Sequence, residues 1–312
     1  MINRRHIRVK AMQSVYAMVQ SKSSDLVKEE KFLKESIGHM YDLYVLSLDL
    51  ITRVQAYAQQ TIEVAKKKHL ATSAELNPNL KFVENIYIKA LKNSTSLQTY
   101  IEDHQLNHWY LDDKYVYNIY QQLIESDFYK KYMKDEDKSP KNHLKFVIQM
   151  YSQLIAPSDS LEAYYEGVHI SWIDDIPFVN SWVIKTLNEF NPQKDFVLGK
   201  LYKNMDDEIF ATDLLKKTVL NLHHFQKDIE DKTPNWDTDR IADLDMILIK
   251  MAICEFLKFP SIPVKATINE YLEIAKDYST EKSSFFINGV LDKVWKEYHT
   301  EKKLNKVGRG ML

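Results

Sequence analysis

The chain of 312 residues has only one cysteine, six glycines and eight prolines. The lone thiol, Cys254, excludes an internal disulfide and any cysteine-built metal centre, and it fits a reducing compartment. Neither GxGxxG nor GxxxxGK[ST] occurs, so phosphate-cradling loops of those two kinds are excluded. No apolar run reaches the roughly 18 residues that a membrane span needs, and the opening "MINRRHIRVK" lacks the apolar core of a signal peptide. The expectation is a soluble, cytoplasmic protein that does not enter a membrane. Net charge is −2, which provides no bulk attraction to nucleic acid.

What is present is helical. Leu, Ile, Lys and Glu are abundant, and apolar residues recur at spacings of three and four, which predicts an all-α protein. A first helix is expected over residues 5–20, with Met12, Val15, Tyr16 and Val19 as its apolar stripe. After "SKSSD" a long helical segment follows in which Leu43, Leu46, Leu50, Val54 and Tyr57 step by three and four. Further helices are marked by Val116, Ile119, Tyr120, Leu123 and Ile124, by Leu144, Val147, Ile148 and Tyr151, and by Val179, Trp182, Val183 and Leu187. "ELNPN", "KDEDKSP" and "APSDS" read as connectors. "DLDMILIKMAICEFLK" is apolar almost all round, as a helix central to a bundle should be, and Pro260 and Pro263 end it. Trp109, Trp172 and Trp182 read as core.

Charge is unevenly placed. Residues 1–24 hold no acid, while Arg4, Arg5, Arg8 and Lys10 crowd the start of the first helix. Cations there oppose the helix dipole, so stability alone does not select them. Residues 302–312 carry Lys302, Lys303, Lys306 and Arg309, again without an acid, and read as a basic tail.

The sequence carries no convincing catalytic or metal-binding set. His104 and His108 share a helix face, but Gln105 stands where a zinc-protease pattern needs Glu. Asp112/Asp113 and Asp174/Asp175 lie beside turn-like sequence and read as helix caps. Cys254 sits in an apolar helix as a small inert hydrophobe. Asp245 interrupts that same helix, so its carboxylate must be paired, near the surface, or at an interface, and an N-terminal arginine is the expected partner. In "TEKSSFFINGVLDKVW", Ile287, Val290, Leu291 and Val294 make the buried stripe, Phe286 flanks it and Phe285 lies opposite.

Two stretches, "RRHIRVKAMQSVYAMVQS" and "DRIADLDMILIKMAICEFLKFPSIPVKATINEYLEIAKDYSTEKSSFFINGVLDKV", resemble the NusB family of transcription antitermination factors. "IPVKATINEYLEIAK" followed by "EKSSFFINGVLDK" is the most specific part. The resemblance implies an all-α NusB-like helical bundle formed by residues 1–21 and 206–300. It also implies an inserted helical region, 22–205, of the kind associated with Bacteroidetes, and a basic C-terminal tail, 301–312.

By family likeness the function is antitermination without catalysis or cofactor. The partners are single-stranded boxA-like RNA of ribosomal leader transcripts, the ribosomal protein that acts as NusE, and the antitermination complex on RNA polymerase. Carried over by position, Arg4, Arg5 and Arg8 contact phosphates, with His6 replacing one arginine of the usual run, and Lys10 extends the patch. Tyr16 and Phe286 lie at the RNA surface, and Asp245 faces NusE. Lys282 stands where compact relatives can have an acid, and Phe285 replaces a more polar neighbour; both add to the RNA-binding set. About four phosphate contacts imply a slope of log K against log salt near −3. Two other classes stay open as rivals. An RNA cytosine methyltransferase needs a cofactor-binding α/β domain and a catalytic cysteine, and a helical interaction scaffold needs no RNA at all. The insertion's role, including self-association as a homodimer, stays open.

Overall fold

The computed structural model describes residues 1–232 and 241–311. Asp239 and Arg240, which begin the longer family-like stretch, lie outside the described residues. Among those described there is no strand; the fold is all-α. The chain forms two compact units, one from residues 1–37 and 201–312 and the other from residues 38–200.

In chain order the helices begin with α1 (Arg4–Ser21) and α2 (Leu26–Lys66). The boundary between units therefore falls within α2, not in the loop before it. The second unit continues with α3 (Ser73–Leu76), α4 (Ile86–Lys92), α5 (Thr95–Asp103), α6 (His108–Leu111), α7 (Asp113–Glu125), α8 (Asp127–Lys134), α9 (Pro140–Met150), α10 (Asp159–Val168) and α11 (Trp172–Glu189). The first unit resumes with α12 (Met205–Val219), α13 (Leu222–Lys232), α14 (Asp243–Lys258), α15 (Val264–Tyr278) and α16 (Ser283–Thr300).

Local sequence sets many of the starts in the second unit. Asn85, Ser94, Ser126, Ser139 and Ser158 each accept a backbone N–H of the first turn of α4, α5, α8, α9 and α10. The acidic pairs act differently from the caps expected of them. Asp112 precedes α7 but its Oδ2 accepts the Tyr164 hydroxyl at 3.0 Å, leaving no side-chain cap. Asp113, Asp174 and Asp175 lie in first turns, where their charge complements the helix dipole. Trp109, Trp172 and Trp182 are core, as expected: Trp109 Nε1 donates to the Leu46 carbonyl, Trp172 Nε1 to that of His39, and Trp182 stacks on Tyr44.

In the first unit α14 is the central helix, packed by α1, α12, α13, α15 and α16. Its residues from Met246 to Phe256 are buried apart from Lys250, which explains why its sequence shows no polar face. α1 is rotated from the expected stripe. Ile7, Ala11, Val15 and Met18 form the buried line with Met12, while Tyr16 and Val19 are exposed. Ile7 and Ala11, one turn apart at the start of the helix, fix that orientation and carry Tyr16 to the flank.

Residues 301–311 are tied to the bundle, although most of their side chains are exposed. Lys306 Nζ donates to the carbonyls of Glu255 and Phe259 at 3.1 and 3.0 Å, and Val307 N to that of Pro260 at 3.1 Å. A short 3-10 turn, Gly308–Met311, closes the segment with Gly310 buried. A Cβ on residue 310 would stand 1.9 Å from the Pro260 carbonyl oxygen, so only glycine allows this approach.

Candidate nucleic-acid interface

The cations at the start of α1 do not all reach solvent. Arg8 is 3% and Lys10 1% exposed, which removes both from the phosphate-binding set expected of them. The reason is helical phase. Arg8 lies one turn before Met12 on the face turned to α14, and there it meets Glu255, which is fully buried. Arg8 Nε and Nη2 donate to the two Glu255 carboxylate oxygens at 2.7 and 2.8 Å. Tyr271 hydroxyl and Thr267 Oγ1 also donate to that carboxylate, at 2.8 and 3.2 Å. Burial opposes the charge on Arg8, but the Glu255 charge and hydrogen bonds outweigh it and raise the guanidinium pKa.

Arg4 and Arg5 remain at the surface with partners of their own. Arg4 Nε donates to Asp207 at 2.7 Å, and Arg5 makes a bidentate pair with Glu270 at 3.0 and 3.2 Å. The Arg4 and Arg8 guanidiniums both lie over the Phe210 ring, 5.0 and 5.2 Å from its centroid. Asp207, Glu255 and Glu270 take the three arginines, so Asp245 does not pair with one. Instead its Oδ1 accepts the Ser279 hydroxyl at 2.6 Å.

His6 completes the turn as a neutral group. Burial first, then the charges of Arg5 and Lys10, hold its imidazole pKa down to about 4. Unfolding therefore takes up a proton between pH 6.5 and 4, so His6 contributes stability above pH 6.5 that is lost as the pH falls through this window. Comparing urea midpoints at both pH values, the wild type is expected to lose more stability than His6→Gln by on the order of 2 kcal/mol, partial solvent access included.

The expected site residues gather in two places. Arg4, Arg5 and the edge of Arg8 line a groove of about 670 Å³ with residues 261–263, Ala266, Glu270 and Arg309. Ala266 belongs to the first turn of α15, which has neither an acid nor a side-chain cap, so its N–H groups add to the positive potential. A second groove, about 280 Å³, is lined by Asp245, Lys282 and Phe286 with Ile241, Ala242, Thr280 and Ser283. Phe285, 81% exposed, projects from the outer face of α16, while Phe286 is half-buried, the division that helical spacing predicts. Gln20 Nε2 donates to Asp243 at 2.7 Å, which sets the last turn of α1 beside the start of α14. Tyr16, 40% exposed, is one turn earlier. At 1.5 Å per residue, Arg5 and Gln20 stand about 22 Å apart along α1.

Residues 181–296 match the model of the NusB family. The chain carries a NusB-family domain. Its relatives include proteins named transcription antitermination protein NusB. That of Salinibacter ruber is 41% identical over 103 residues, 33% of this chain and 64% of the relative. That of Chloroherpeton thalassium is 38% identical over 103 residues, covering 33% and 49%. That of Natranaerobius thermophilus is 37% identical over 91 residues, covering 29% and 66%. Each alignment thus spans less than two thirds of the relative. No solved structure matches the chain. The NusB match includes Asp245, Lys282, Phe285 and Phe286, whereas α1 and residues 301–311 lie outside it.

Sequence reading missed Asp207, Glu255 and Glu270 as arginine partners, and it placed Arg309 in a tail. Glu255 had a signal: like Asp245, it is a carboxylate in an otherwise apolar helix, which demands a buried partner. Among the described residues no group of three or more His, Cys, Asp or Glu side chains is placed to hold a metal, and no helix is long and apolar enough to cross a membrane. The Cys254 thiol is buried, and burial pushes its pKa up to about 12.

Proposed function

We propose that this protein is a transcription antitermination factor that binds single-stranded boxA-like RNA together with the ribosomal protein acting as NusE, and that it joins the antitermination complex on RNA polymerase. The observation that carries the reading is the start of α16 within the NusB domain. There an exposed cation, Lys282, stands three residues before an aromatic ring, Phe285, that remains 81% exposed. Single-stranded RNA is held by cations on phosphates and by aromatic faces on bases, and this pair supplies one of each. Arg4, Arg5, Tyr16 and Phe286 complete the RNA set, and Asp245 is the proposed NusE-facing acid. The proposal includes no catalytic step and no cofactor, and it treats residues 22–205 as an insertion into the family bundle.

One observation favours a second reading, a helical interaction scaffold with weak or lost RNA binding. Arg8 and Lys10 are withdrawn into the bundle and Arg4 and Arg5 hold carboxylates. Titrating labelled boxA-like RNA with the full chain, with and without the NusE partner, separates the two. Binding that weakens with salt supports antitermination, and no binding in either case at low salt supports the scaffold.

A further inference from the structure

We infer that the C-terminal segment, residues 303–311, is part of the RNA-binding surface and that Arg309 is a phosphate-binding residue. This rests on the RNA-binding reading and goes beyond it, since the segment lies after the last residue of the NusB match. The segment is a built strap. Lys306 and Val307 tie it to the carbonyls at the end of α14, and Gly310 lies against Pro260 where no side chain fits. Arg309 is held between those anchors and lines the same groove as Arg4 and Arg5.

The charge inventory of that groove makes Arg309 the most available cation. Arg4 is paired with Asp207, Arg5 with Glu270, and Arg8 with the buried Glu255. A phosphate must compete with a carboxylate for each of them. Arg309 is exposed and has no carboxylate partner among the described residues, so a phosphate reaches it without breaking an ion pair. Its planar fork suits two phosphate oxygens. With Arg8 and Lys10 buried, Arg309 also restores a fourth cation to Arg4, Arg5 and Lys282.

The test uses the full chain and a labelled single-stranded boxA-like RNA titrated over a salt series. Arg309→Gln is expected to weaken binding about three- to tenfold at low salt and to make the slope of log K against log salt shallower by about 0.7, the value for one single-strand phosphate contact. Gly310→Val, which dislodges the strap, is expected to cause at least as large a loss while circular dichroism stays unchanged. Lys302→Gln, exposed and outside the groove, is expected to match wild type. If wild type binds and Arg309→Gln retains both its affinity and its slope, the strap inference is overturned and the RNA reading stands. If wild type does not bind at low salt, either with or without the NusE partner, both fall.

Discussion

Glu255→Ala is expected to destabilise the protein by about 3–5 kcal/mol, the range for removing one partner of a buried ion pair. The buried Arg8 guanidinium would keep as counter-charge, among the described residues, only Glu270, 3.8 Å away and shared with Arg5, and the Tyr271 and Thr267 hydroxyls would lose their acceptor. Arg8→Ala is expected to fall in the same range, because it leaves a fully buried carboxylate with only neutral donors. A typical domain has about 5–15 kcal/mol of stability, so either variant should show a large drop in urea midpoint. The double variant Arg8→Met/Glu255→Leu is expected to regain most of the loss, since apolar residues of similar size remove both desolvation penalties at once. These outcomes separate a structural from a ligand-binding role for Arg8. A phosphate-binding Arg8 would give an alanine variant of normal stability and reduced RNA affinity, and that result would refute a structural role for Arg8.

The second large effect is on binding. Phe285→Ala is expected to reduce affinity for single-stranded RNA by about 5- to 150-fold, the equivalent of roughly 1–3 kcal/mol for one stacked base. Because the ring is 81% exposed, its removal should leave the urea midpoint within about 0.5 kcal/mol of wild type. Salt dependence should be unchanged, since a stacking ring displaces no counterions. Lys282→Gln, on the preceding turn, should do the opposite: a modest loss of affinity with a shallower salt slope. Equal affinity of Phe285→Ala and wild type for the RNA would remove this ring from the interface.

Part of this site can be read from the sequence alone. The phase of α16 was readable because Ile287, Val290, Leu291 and Val294 repeat at three and four, which fixes one face and thereby the opposite one. The central place of α14 was readable because a helix without a polar face has no side to give to water. α1 was harder to read. Its apolar residues occupy more than half a turn, and Tyr16 and Val19 fit a stripe as well as Ile7 and Ala11 do. A shift of one position decides whether an arginine meets solvent or core.

The all-α class, the central apolar helix, the outward turn of Phe285 and the likeness to NusB follow from sequence, because each is written in local periodicity or in an unbroken motif. Which cations are free is a matter of tertiary packing. Arg4, Arg5, Arg8 and Arg309 look alike in sequence, and their availability depends on Asp207, Glu270, Glu255 and Pro260, residues between 49 and 265 positions away. An arginine's accessibility is set by the carboxylate the fold brings to it, and no spacing rule carries that information across such distances.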